Sequence, residues 1–141
     1  MKGVDVVGET DLVKLLGSMH PVLNEAEYVF ASLDTPSTEL LTHLMPLGTF
    51  LEPEGLTVIV LKSKADALGV NYHGIFKNIT LNIHSSLEAV GLTAAVSSVL
   101  ANQGISANVV AAFYHDHIFV PSSKANQALT CLLSLASDSH K

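Results

Sequence analysis

Seven residue positions in this chain carry side chains that could do chemistry together. His115, Asp116 and His117 are consecutive, and His84 precedes Ser85 and Ser86, with Glu88 close behind. A His-x-His pair on a strand puts both rings on one face, which suits a metal ion, provided that further imidazoles or carboxylates converge on it. Asp116 is expected at a hairpin tip, where that alternation need not hold, so the simpler reading is a polar turn. Its histidines would then be hydrogen-bonded or turned into a subunit interface. His84 beside Ser85 or Ser86 has the residue types of a base and a nucleophile. Neighbours along a strand point to opposite faces, however, and no Gly-x-Ser-x-Gly elbow is present. Glu88 fits an N-terminal helix cap or a ligand contact. The single cysteine, Cys131, lies in the apolar stretch ALTCLL and reads as a small buried hydrophobe.

These residues sit among elements that the pattern defines well. Asn78 to His84 alternates, with Ile79, Leu81 and Ile83 facing inward. A polar stretch with Gly91 follows, then a helix with Leu92, Val96, Val99 and Leu100 on one side, closed by Gly104. Two apolar strands, 107–114 and 117–120, form a hairpin, and Ser122 or Ser123 opens a last helix. From Asn78 to Ser123 the only Asp, Glu, Lys or Arg residues are Glu88 and Asp116. Upstream, a helix opens at Thr10 with Leu12, Leu15 and Leu16 on one face. A strand covers 28–33, and Pro53-Glu54-Gly55 turns a hairpin between 48–52 and 56–61. Ser63 to Asp66 has the form of a capping box with Asp in the Glu position. Asp34-Thr35-Pro36-Ser37 reads as a turn, and the stretch from there to Pro46 gives no clear element. Hairpin then helix occurs twice in the same order, which favours an internal duplication.

The chain has 141 residues, room for one compact domain or two small fused ones. Charged residues make up 14%, against about 25% in typical domains, so part of the surface is expected to be covered by a partner subunit. A net charge of −6 without a basic stripe argues against binding to a nucleic-acid backbone and disfavours an anionic membrane. No apolar leader follows Met1, and no apolar run reaches bilayer length, so a cytoplasmic protein is the expectation.

The order strand, helix, strand, strand, helix is ferredoxin-like, and the pattern predicts two copies of it here. Within that class, HSSLEAVGLTAAV at 84–96 and GISANVV at 104–110 resemble the strand, loop and helix of an ACT domain, most nearly those of aspartate-kinase regulatory domains. YHDHIFVP at 114–121, with GETDL at 8–12 and EGLT at 54–57, is similar to a small group of stand-alone tandem ACT proteins. The resemblance implies an α+β fold of tandem βαββαβ repeats, antiparallel sheets with helices on one face. One unit would cover 1–74 and the other 75–141, with the strand around 75–84 shared.

The same resemblance implies a small-molecule-binding regulatory protein, with an amino acid as the favoured ligand class, no catalysis, no cofactor and no metal, in a homodimer or higher homo-oligomer. Its ligand residues would be Ser86, Leu87, Glu88, Ala89, Val90, Gly91, Leu92, Thr93, Asn108 and Val109. Gly91 would let the backbone approach a guest, free amides at the helix start would receive a carboxylate, and the Asn108 amide would meet its polar head. His84, His115, Asp116 and His117 would be polar or interface residues. In many amino-acid-binding members an acidic residue and a Gly lie tightly at this turn, whereas here Ser85, Ser86 and Glu88 precede an isolated Gly91. Ser85 to Glu88 could equally be a capping box that starts the helix early. Two rivals stay open: a ferredoxin-like enzyme or metal binder using the His115/His117 cluster, and a purely structural interaction domain.

Overall fold

The computed structural model describes residues 9–82 and 89–138, with side chains described for 13–82 and 91–138. Packing divides the chain into two compact units. One is the stretch Glu25–Lys77, and the other joins the segment ending at Asn24 to the segment starting at Asn78.

The 25–77 unit is built on three strands, β2 (Tyr28–Leu33), β3 (Gly48–Glu52) and β4 (Gly55–Leu61), in the order β3-β4-β2. All pairings are antiparallel, and β2 also meets the start of β5 (Phe76–Leu81) through Tyr28↔Phe76. Alternation sends Val29, Ala31 and Leu33 of β2, and Val58 and Val60 of β4, to one face. There they pack with Leu44 and Ala65 of two short helices, α2 (Thr38–Leu44) and α3 (Lys62–Ala67). The β3–β4 hairpin needs a glycine where it re-enters the sheet. At Gly55 (φ 154°) an added Cβ would lie 2.7 Å from the Leu33 carbonyl oxygen and 2.8 Å from Ser32 Oγ.

Two local expectations are corrected here. The stretch without a clear element contains α2, started by the Ser37 hydroxyl accepting from the Leu40 amide at 3.0 Å and ended by Met45 in the left-handed region. The capping box at Ser63 does not form: α3 begins one residue earlier, directly from β4, with no side-chain cap. Asp66 instead accepts from Lys62 Nζ at 2.9 Å and from the Tyr72 hydroxyl at 2.7 Å, and both donors hold its carboxyl below its ordinary pKa.

The second unit repeats the plan. Its strands are β1 (Pro21–Leu23), β5, β6 (Asn108–Ala111) and β7 (Asp116–Pro121), in the order β1-β5-β7-β6. Pro21–Leu23 pairs antiparallel with Leu81–Ile79, so the strand that completes this sheet comes from the opposite end of the sequence to its neighbours. Three helices, α1 (Glu9–Gly17), α4 (Ala89–Asn102) and α5 (Ala125–Asp138), cover one face. Ile79, Leu81, Ile118 and Val120 point into that core and meet Leu16, Leu92, Val96, Leu100, Ala128 and Leu132. Gly104, at φ 71°, lets the chain leave α4 while Ile105 N–H bonds the Leu100 carbonyl. Cys131 is half-buried against the same core. The fold is α+β throughout, curled antiparallel sheet with helices on one face, as expected.

Candidate functional site

Alternation that buries Ile79, Leu81, Ile118 and Val120 under the helices must turn Asn78, Thr80, His117 and Phe119 to the other face. On β6, Asn108 pairs with Phe119 and Val110 with His117, so Asn108 and Val110 belong to that face as well. A polar network crosses it. Asn24 Nδ2 donates to the Asn78 carbonyl oxygen and to Thr80 Oγ1, each at 3.3 Å. Having accepted there, the Thr80 hydroxyl is free to donate to His117 Nδ1 at 3.2 Å, and Asn78 Nδ2 reaches the same nitrogen at 3.4 Å. With Nδ1 as the acceptor, the imidazole is neutral and carries its proton on Nε2. The electrostatics agree: burial first, and then neighbouring His115, push the His117 pKa below its ordinary value, opposed weakly by Asp116.

Among the described residues, Asn78 Oδ1 and His115 Nδ1 of this cluster are buried and meet no hydrogen-bond partner. Asn78 is 4% exposed. The His115 and His117 rings stand nearly perpendicular, with centroids 6.4 Å apart. His-x-His therefore does share a face, but Asp116 is not at the tip: it opens β7 opposite Ala111, and the turn is closed by the Ala112 amide bonding the His115 carbonyl. Among the described residues no three His, Cys, Asp or Glu side chains gather as a metal would need. What the His117 imidazole meets is an amide and a hydroxyl.

The residues expected around a bound molecule are placed as follows. His84, Ser86, Leu87 and Glu88 lie outside the described residues. Ala89, Val90, Gly91, Leu92 and Thr93 form the start of α4, Gly91 being its third residue. Leu92 is 1% exposed and serves the core, and Val109 packs against the same core. Asn108 is exposed at the start of β6, on the face away from α4, so the structure groups it with His117 rather than with Gly91. Sequence reasoning missed Asn24, Asn78 and Thr80. Their signal was the polar half of the alternation Asn78-Ile79-Thr80-Leu81, set beside the polar half of His115-Asp116-His117.

Comparison with known proteins bears on both units. A model of the ACT domain matches residues 7–77, and a second ACT-domain model matches 77–134. Among curated proteins none matches. A solved structure from Vibrio cholerae, titled a protein of unknown function and possible transport protein, is 47% identical, with a TM-score of 0.82 over 90% of this chain and 97% of that one. The regulatory subunit of aspartate kinase from Thermus thermophilus, in its ligand-free form, is 9% identical. Its TM-score is 0.62 over 84% of this chain and 97% of that one. Aspartokinase III from E. coli, in complex with aspartate and ADP, is 15% identical, with a TM-score of 0.57 over 82% of this chain and 32% of that one. The latter two share the fold. No helix among the described residues is long and apolar enough to cross a membrane, and both family models that match describe ACT domains, not a catalytic family. Two family models in succession and a close structural relative make the assignment: this chain belongs to the ACT domain family, as a tandem ACT protein that resembles the regulatory domains of aspartate kinases.

Proposed function

We propose that the chain is a regulatory protein that binds a small metabolite, with an amino acid as the ligand class, and acts without catalysis of its own. The observation that carries this reading is the pair of consecutive ACT-domain matches. It is supported by the shared fold of an aspartokinase solved with aspartate. The ligand would contact the segment that leads into α4, where Gly91 would allow close backbone approach and free amides would receive a carboxylate. The candidate site would run from Ser86 to Gly91 with Thr93, while Leu92 and Val109 serve the core and Asn108 lies on the other face of the sheet. The partner chemistry is a zwitterion, whose carboxylate suits those amides. Binding would act by changing the association of copies of the chain, because a ligand shifts an equilibrium only by what it contacts differently in the two states. The compartment we assign is the cytoplasm, and the assembly a homodimer or larger.

A thermal-shift screen of the free amino acids tests the reading. A ligand present at 100 times its Kd stabilises the fold by about 2.7 kcal/mol. The Gly91→Val protein is expected to lose that response while keeping its circular dichroism spectrum. If no amino acid raises the melting temperature of the wild type, the sensing role is wrong.

A further inference from the structure

The sheet face that carries Asn78, Thr80 and His117 also holds two ring nitrogens that its polar network leaves open. His115 Nδ1 is buried and meets no hydrogen-bond partner among the described residues. On His117 the network engages Nδ1 alone, with Thr80 Oγ1 at 3.2 Å and Asn78 Nδ2 at 3.4 Å. Nε2, on the far side of that ring, meets no hydrogen-bond partner among the described residues. The two rings share a face, with centroids 6.4 Å apart and planes at 87°. Bonds from a zinc-like ion to imidazole nitrogen are about 2.0–2.1 Å, so two rings on one ion have centroids roughly 5–6.5 Å apart. The spacing of His115 and His117 falls within that range.

The groups behind His117 suit such an ion. A metal-binding imidazole ordinarily donates its other N–H to an oxygen. Binding at Nε2 moves the ring's one proton to Nδ1, where Thr80 Oγ1 stands ready to accept it. Asn78 serves both proton positions: it presents Nδ2 to the ring now, and a half-turn of its amide presents Oδ1 instead. Asn78 is 4% exposed and its Oδ1 is unpartnered, so no second bond locks the amide in one orientation. We propose that His115 Nδ1 and His117 Nε2 bind a divalent transition ion of the imidazole-preferring class, zinc, nickel or copper, with water in its remaining positions. Three protein ligands hold a resident ion, whereas two imidazoles hold one that exchanges with its free concentration. A net charge of −6 favours its approach. The site lies on the sheet face away from α4 and does not rest on the amino-acid reading.

Calorimetric titration of the chelator-stripped full chain with zinc chloride at pH 7.5 tests the site. One zinc per chain is expected with a micromolar Kd, and magnesium gives no binding. His115→Ala and His117→Ala each weaken zinc binding at least about 10-fold. Where a histidine variant fails to fold, Asn78 decides: Asn78→Asp, which only accepts, binds zinc at least as tightly as the wild type, and Asn78→Leu binds it about 10-fold less tightly. In nitrogen-15 spectra of the wild type, added zinc moves the His117 proton from Nε2 to Nδ1. Wild-type binding no tighter than that of the His115→Ala, His117→Ala double variant overturns the site, because the five other histidines then account for it. A ring proton that stays on Nε2 overturns the assigned ligand atom, and equal weakening by both Asn78 variants overturns the supporting role of that amide.

Discussion

Thr80 Oγ1 on β5 stands 3.2 Å from His117 Nδ1 on β7, and the same hydroxyl is 3.3 Å from Asn24 Nδ2 just beyond β1. A single hydroxyl thereby joins three strands of one sheet. His115 and Asp116 are the charged or chargeable groups that act on the His117 imidazole, the first lowering its pKa and the second raising it.

Stability should therefore fall on mild acidification. His117 has a lower pKa folded than unfolded, so the unfolded chain binds more protons between the two values. The contribution is complete above the unfolded value of about 6.5, begins to be lost as pH falls through it, and is gone below the folded pKa. Melting curves from pH 7.5 to 5 are expected to show this slope in the wild type and a shallower one in His117→Gln. Parallel slopes would mean that another group is responsible.

Replacing Thr80 by Val keeps the shape and removes the link, leaving the Asn24 amide and His117 Nδ1 short of a partner. A loss of about 1–2 kcal/mol is expected in urea unfolding. The matched control is Thr42→Val, whose hydroxyl bonds the Thr38 carbonyl on an exposed helix face and should change stability by less than about 0.5 kcal/mol.

Gly55→Ala should be among the most damaging single changes in the 25–77 unit. Its methyl would meet the Leu33 carbonyl oxygen at 2.7 Å, backbone that cannot step aside without disturbing β2. A cost of roughly 3 kcal/mol or more is expected, read as a drop in the denaturation midpoint. Gly69→Ala, at φ 69° with nothing within 4 Å of the added carbon, pays only for backbone conformation, about 1 kcal/mol.

Within the other unit, Leu100 and Leu132 are fully buried where α4 and α5 close on the sheet. Truncating either to Ala should cost about 2–5 kcal/mol through lost burial and the cavity left behind. Leu133, next in sequence and 49% exposed, should cost well under half of that. Equal effects would contradict the helix rotation described here.

The two hairpins and the long helices were readable because local chemistry and long-range packing agree there. Pro53-Glu54-Gly55 makes its own turn, and Ile79 and Leu81 alternate with polar neighbours as a one-sided strand requires. The α2 helix escaped because seven residues between Pro36 and Pro46 are too few to display a period. Asp116 was misplaced by one strand register: the tip is held by the Ala112–His115 bond, and no side chain announces that. The polar network was the least legible part. Asn24 and Asn78 are 54 residues apart, and nothing in either segment names the other. Leu92 shows the converse limit, since a residue at the right sequence position for a ligand is taken by the core.

The pairing of Pro21–Leu23 with Leu81–Ile79 has a consequence for how the molecule is made. A ribosome releases β1 long before β5 exists, and the whole of 25–77 emerges in between. That middle segment can close on itself first, whereas β1 and its helix must wait unmated until the later repeat arrives. The repeat written second thus depends on residues translated first, which makes its last docking step a long-range and comparatively slow one.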